Sequence, residues 1–170
     1  MHLAWRSILQ VANQSVSFWE YIIENNICEA VEKYRKQNHG AKILLKEVSD
    51  AQRFGVAEIH DGRVVGIEEK PTDPKSNFAV TGVYLYDATV FQKIRRLKPS
   101  RRGELEITDV NNFYVEEAAM TFEILEGWWT DAGTFESLLR ANNLVSKTGA
   151  NKMRTEKNNA KVIARQEAEG

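Results

Sequence analysis

The run Ala41-Lys42-Ile43-Leu44-Leu45 constrains this chain more than any other stretch. Its centre, Ile43-Leu44-Leu45, is continuously apolar, so it does not alternate between core and solvent as a half-exposed strand would. Residues 41–48 therefore read as a strand buried on both faces, and such a strand needs helices above and below its sheet. The flanking sequence supplies one. From Asn26 onward Ile27, Ala30, Val31 and Tyr34 fall on one helical face and Glu29, Glu32, Lys33 and Lys36 on the other, with Gly40 as a stop.

Further along, residues 54–59 and 63–69 read as two strands joined by His60-Asp61-Gly62, whose Asp-Gly pair is a hairpin signal. A turn-rich loop, 71–76, precedes a strand over 78–86. Asp87 is placed as the N-cap of a helix carrying Val90, Ile94 and Leu97, which must stop before Pro99. A second helix is expected over about 107–117, where Val110, Phe113 and Tyr114 share a face, followed by a strand at 120–125 and a helix at 134–146. The expected fold is an α/β layered domain, a mixed sheet flanked by helices. Residues 1–23, with Trp5, Phe18, Trp19 and Tyr21, show no sustained period and take no assignment. The domain is placed at 24–148, and 149–170 reads as a polar tail in which helix and disorder are both open.

Composition narrows the function classes. With 170 residues the chain has room for one full core. A net charge of -1 argues against bulk nucleic-acid or anionic-membrane binding, so any phosphate recognition should be local. Cys28 is the single cysteine, which excludes an internal disulfide or a cysteine-based zinc site and suits a reducing cytoplasm. His2, His39 and His60 have no metal-like spacing. No stretch has the length of a membrane span, and the first residues lack the pattern of a secretory signal, so export is not expected.

Four places carry residue types suited to a phosphate-bearing ligand. In Glu126-Gly127-Trp128-Trp129-Thr130-Asp131-Ala132-Gly133-Thr134, Asp131 sits where a strand gives way to a helix, the end of an open sheet at which ligands bind. A carboxylate there can hold a hard divalent cation against a phosphate. Capping of the helix by Asp131 and Thr134 is the other open reading. In Ser100-Arg101-Arg102-Gly103-Glu104 two arginines beside a glycine offer planar donor forks to phosphate oxygens, or else form a solvated basic turn. Glu69-Lys70 at a strand end and the backbone at Gly55 are weaker candidates for sugar hydroxyls and phosphate, each also explained by solvation or a strand start.

Taken in order, the motifs are more specific. Phe54-Gly55-Val56-Ala57-Glu58, Gly66-Ile67-Glu68-Glu69-Lys70-Pro71, Ser76-Asn77-Phe78-Ala79-Val80-Thr81-Gly82-Val83-Tyr84, Arg102-Gly103-Glu104-Leu105-Glu106-Ile107-Thr108-Asp109-Val110-Asn111 and Trp129-Thr130-Asp131-Ala132-Gly133-Thr134 together resemble the sugar-1-phosphate nucleotidylyltransferases, of the glucose-1-phosphate thymidylyltransferase type, over about residues 25–147. The resemblance implies a Rossmann-like nucleotidyltransferase domain and transfer of a thymidylyl group from dTTP to glucose 1-phosphate, with Mg²⁺. It further implies Gly55 and Glu69 at sugar hydroxyls, Lys70 and Arg102 at the sugar phosphate, Thr81 and Tyr84 in the pocket wall, and Asp131 as a Mg²⁺ ligand, with Asp131 and Arg102 serving the chemistry. The family's Gly-x-Gly-Thr-Arg nucleotide loop has no counterpart in this sequence. Where the family has Gly-Asp-Asn with a second metal-binding aspartate, Trp19-Glu20-Tyr21 stands here, and Glu20 is a poor replacement. The expectation is an incomplete domain keeping mainly the sugar-phosphate side and inactive alone, or else a non-catalytic sugar-phosphate-binding or interaction module. A partner chain supplying the missing loop stays open. Because the missing half would leave a bare sheet edge, a homodimer or larger oligomer is also expected, the other open reading being a monomer whose residues 1–23 fold over that edge.

Overall fold

The computed structural model describes residues 8–11, 14–17, 21–37, 39–132 and 134–148. Its strands are β1 (Ile8–Val11), β2 (Gln14–Ser17), β3 (Tyr21–Ile23), β4 (Ala41–Glu47), β5 (Gly55–His60), β6 (Arg63–Glu69), β7 (Phe78–Asp87), β8 (Met120–Ile124) and β9 (Trp129–Asp131). The α-helices are α1 (Cys28–Gln37), α2 (Val90–Ile94), α3 (Ile107–Glu116) and α4 (Phe135–Thr148). The main sheet runs β1-β2-β7-β4-β8, with β5 branching from β7 and carrying β6. β4 and β8 are parallel while the other neighbours are antiparallel, so the sheet is mixed as expected.

β4 is buried on both faces. Ile43 and Leu45 pack with Val80, Tyr84, Tyr86, Val110 and Tyr114 on the side of α3, and Leu44 packs with Ala30, Val83 and Leu125 on the side of α1. Lys42 is buried beside this apolar run, its ammonium paired with Glu123, which also binds Lys33 of α1 at 2.9 Å. The β5–β6 turn forms at Asp61-Gly62, both with positive φ, as its sequence predicts.

β7 does not run evenly beside β4. Ile43 pairs with Tyr84 and Leu45 with Val80, so two steps of β4 face four of β7, and Gly82 at φ 79° takes up the excess. An even surplus preserves facing, which keeps Val80 and Tyr84 in the same core layer. The Thr81 hydroxyl donates to the Leu44 carbonyl at 2.8 Å, and the Trp129 indole Nε1 donates to the Thr81 carbonyl at 3.2 Å. Carbonyls facing the bulge are thus satisfied by side chains.

Three expectations need correction. Asp87 does not cap α2, whose N-cap is Thr89 without a side-chain hydrogen bond; it ends β7, and its carboxylate accepts from the Gly40 amide, the Thr89 amide and hydroxyl, and the Tyr114 hydroxyl. α2 is also shorter than the apolar spacing suggests. After Ile94 the chain tightens into three-residue turns, Arg96 N to Lys93 O and Leu97 N to Ile94 O, before Pro99. Finally, the bare edge on which oligomerisation was argued is occupied at β7: β2 pairs along it from Ser17 opposite Tyr84 to Gln14 opposite Asp87. The unassigned N-terminal stretch therefore supplies strands to both sheets, because β3 pairs with β9 in a separate two-stranded sheet. The 149–170 tail lies outside the described residues.

Burial alone would raise the Asp87 pKa, but hydrogen bonds from Thr89, Gly40 and Tyr114 outweigh it and hold the carboxyl below the ordinary aspartate value. A depressed native pKa means that this contribution is present above the unfolded-state pKa, about 3.9, and is lost as pH falls through the native one. Asp87→Asn sets an amide where the Gly40 and Thr89 donors need acceptors. It should lower urea stability by about 1–3 kcal/mol at neutral pH. The difference from wild type should shrink below about pH 4, read from urea midpoints across pH.

Candidate functional site

Gly55 and Glu69 are directly paired at the open end of the β5–β6 hairpin. A Cβ added at Gly55 would stand 3.3 Å from Glu69 Oε2 and 3.5 Å from Thr108 Oγ1, so the glycine leaves a small cradle that any other residue would fill. Thr108, in the first turn of α3, donates its hydroxyl to Glu69 Oε2 at 2.6 Å and fixes that carboxylate. The chain turns sharply just after it. Lys70 adopts φ 46° and its amide donates to Phe54 O at 3.0 Å, closing the hairpin end beside Gly55. A non-glycine residue in the left-handed region costs about 1 kcal/mol, and such positions concentrate at functional sites. The Lys70 side chain is exposed and makes no ion pair among the described residues.

Arg102 reaches the same place from the loop before α3. This loop is tied into a compact turn by Ser100 N to Glu104 O, Gly103 N to Ser100 O, and Arg102 N to Ser100 Oγ. The guanidinium lies among three carboxylates: Nη2 donates to Glu104 Oε2 at 2.9 Å, while Nη1 is 3.8 Å from Glu69 Oε1 and 3.7 Å from Glu106 Oε1. Asp109, in the first turn of α3, has its carboxyl pKa pushed up by burial and then by the neighbouring Glu106 charge. The sequence pointed to a basic loop; the surroundings of its arginine are acidic.

Aromatic rings gather at Phe54, the residue before Gly55. Trp129 of β9 stacks on Tyr21 at 5.0 Å between centroids and meets Phe54 edge-on at 4.9 Å, tying β9 to the residue beside Gly55. Tyr84 is buried, and its phenol is pushed far up first by burial, then by the Tyr21 and Glu69 charges, so it stays neutral. Thr81 is wholly buried with its hydroxyl committed to Leu44, and it meets the site through its carbonyl's hold on Trp129. Asp131 ends β9, opposite Tyr21, in the small sheet rather than the main one. The helix that follows is capped by Thr134, whose Oγ1 accepts from Ser137 N at 3.1 Å. Glu20 and Gly133 lie outside the described residues. No three His, Cys, Asp or Glu side chains converge as a metal set among the described residues.

The structure thus gathers Gly55, Glu69 and Arg102, with Lys70 adjacent in sequence, Tyr84 buried in the core, and Asp131 two residues beyond Trp129. Sequence reasoning missed the parts played by Thr108, Trp129, Phe54 and Tyr21. Their partners lie tens of residues away, and no local spacing signals them.

Residues 19–148 match the nucleotidyl transferase family. The low-salt glycan biosynthesis nucleotidyltransferase of Haloferax volcanii is 41% identical over 126 residues, which cover 73% of this chain and 35% of that protein. A glucose-1-phosphate thymidylyltransferase of Neisseria meningitidis is 40% identical over 143 residues, covering 74% of this chain and 50% of the relative. Among solved structures, one from Bacillus anthracis, described as a glucose-1-phosphate thymidylyltransferase in complex with a sucrose, superposes with a TM-score of 0.73 at 51% identity, covering 79% of this chain and 55% of that one. An apo UDP-glucose pyrophosphorylase shares the fold, with a TM-score of 0.68 at 22% identity and coverage of 80% and 55%. This chain spans about half the length, or less, of the curated relatives described. With the mixed sheet, the ordered motifs and a match over more than half of its residues in agreement, the chain belongs to the nucleotidyl transferase family.

Proposed function

We propose that this chain provides the sugar-phosphate side of a site of the glucose-1-phosphate thymidylyltransferase type. The full reaction joins the phosphate of glucose 1-phosphate to the α-phosphorus of dTTP and releases pyrophosphate, giving dTDP-glucose. The observation that carries the reading is the convergence of Glu69 and Arg102 around the cradle at Gly55. In this reading Gly55 lets a sugar ring lie against the backbone. Glu69 accepts from its hydroxyls through Oε1 while Thr108 holds Oε2.

Arg102 and Lys70 meet the phosphate, and Thr81 and Tyr84 support the wall with Trp129. The residue that would hold Mg²⁺ is Asp131. One carboxylate suits that ion, which commonly keeps several waters and takes substrate phosphates as its other ligands; when bound it would offset phosphate charge. For these residues the work is positioning and charge compensation. A related sugar phosphate fits the same chemistry.

The second reading, a binding module without catalysis, is favoured by the absence of a Gly-x-Gly-Thr-Arg stretch from these 170 residues. Backbone amides of such a loop are what cradle a triphosphate. The isolated chain is therefore expected to release no pyrophosphate from dTTP and glucose 1-phosphate above the no-enzyme background. Release that disappears in Asp131→Ala would show instead that the chain is catalytic by itself.

Sugar-phosphate binding is tested separately. A charge-assisted contact contributes about 1.5–3 kcal/mol, so Arg102→Ala should weaken glucose 1-phosphate binding about tenfold or more by calorimetry. Unchanged affinity would reduce the loop to a solvated turn.

The chain also self-associates in this reading. With β2 lying along β7, support for an oligomer moves to α4, where Phe135 is 94% exposed and Leu138 and Leu139 are also exposed. Light scattering should give more than the monomer mass. A monomer at every dilution to the micromolar range would refute this.

A further inference from the structure

We propose that Glu104 is a built-in competitor of the incoming phosphate: its carboxylate occupies the Arg102 edge that the anion takes, and its release sets the affinity of the site. This rests on the reading above that Arg102 meets the sugar phosphate. Three carboxylates surround Arg102, and they are not equivalent. Glu69 and Glu106 lie at 3.8 and 3.7 Å, beyond hydrogen-bond length, and each is held by another donor, Thr108 on Glu69 and the Ser100 hydroxyl on Glu106 at 2.9 Å. Glu104 alone of the three makes a direct hydrogen bond to the guanidinium, at 2.9 Å, and its carboxylate has no second partner among the described residues.

It is also the most exposed, at 62% of its side chain against 25% for Glu69 and 13% for Glu106. The backbone under it is fixed by Ser100 N to Glu104 O at 2.8 Å, so the carboxylate can leave by side-chain rotation without unmaking the loop that aims Arg102. The exchange is favourable in sign. An exposed carboxylate pair is weak because water screens it, whereas a phosphate offers the same planar fork more oxygens and more charge. Glu69 and Glu106 stay in place and retain Arg102 at the site, while Glu104 makes the anion compete for it.

Glu104→Gln removes the charge, keeps the size and touches no buried contact. Calorimetry with the full 170-residue chain and glucose 1-phosphate as the probe should show binding about two- to fivefold tighter than wild type, the range a weak exposed ion pair can withhold. Glu116→Gln, which removes the same charge from an exposed position at the far end of α3, should leave the affinity unchanged. Equal or weaker binding in Glu104→Gln, or an equal gain in Glu116→Gln, overturns the proposal and leaves the sugar-phosphate reading standing. If wild type and Glu104→Gln, both folded by circular dichroism, bind no glucose 1-phosphate at all, the sugar-phosphate reading falls and takes this one with it.

Discussion

Two surplus residues of β7 against β4 govern much of this structure. The sheet could not absorb them evenly, so the strand bulges at Thr81-Gly82 and takes a positive φ at the glycine. Carbonyls at a bulge are a liability inside a core, since an unpaired buried acceptor loses the water it had in the unfolded chain. One is met by the Thr81 hydroxyl and another by the Trp129 indole. That second bond does more than satisfy an acceptor. It anchors Trp129, whose ring then holds Tyr21 on one side and Phe54 on the other, so β3, β9 and the start of β5 are placed relative to the main sheet by a defect in it. Bulges recur beside functional sites because they re-aim side chains in this way.

Electrostatics at the other wall follow a similar economy. A lone arginine near one carboxylate would be a simple ion pair; Arg102 instead sits among Glu69, Glu104 and Glu106. Two of those acids are engaged elsewhere, which gives Glu69 a defined orientation through Thr108 and leaves Arg102 loosely held at a half-exposed position. The proposed binding of both hydroxyls and phosphate needs acceptors and a cation close together without mutual neutralisation. The separation of 3.7–3.8 Å, with a threonine and a serine hydroxyl each holding one of the acids, suits that requirement.

The buried and half-buried charges elsewhere are structural. Asp87 gathers donors from the α1–β4 connection, the start of α2 and the last turn of α3, and so fixes three elements at one sheet end. Lys42 and Glu123 join the neighbouring strands β4 and β8, and Lys33 brings in α1. Loss of Glu123 would leave the Lys42 ammonium buried without its carboxylate, which is costly, whereas Glu123 without Lys42 keeps Lys33.

The sequence by itself determined the layered α/β class, the doubly buried β4, the β5–β6 hairpin and the helices α1, α3 and α4, because these follow from apolar period and turn chemistry within a short window. It also marked the ordered motifs, and with them Gly55, Glu69, Arg102 and Asp131 as candidates, without their surroundings. Tertiary structure alone decided the rest. The N-terminal strands have no readable period, since their placement is set by an open edge of β7 and by β9, more than 60 and 100 residues away. Asp87 resembled a helix cap locally and became a hub only when Gly40 and Tyr114 were brought to it. Arg102 resembled a basic turn, and its acidic setting depends partly on Glu69, which the β5–β6 hairpin delivers from another part of the chain. Local pattern fixes which face a residue shows; the partners it meets there depend on strand register and bulges, which long-range pairing sets.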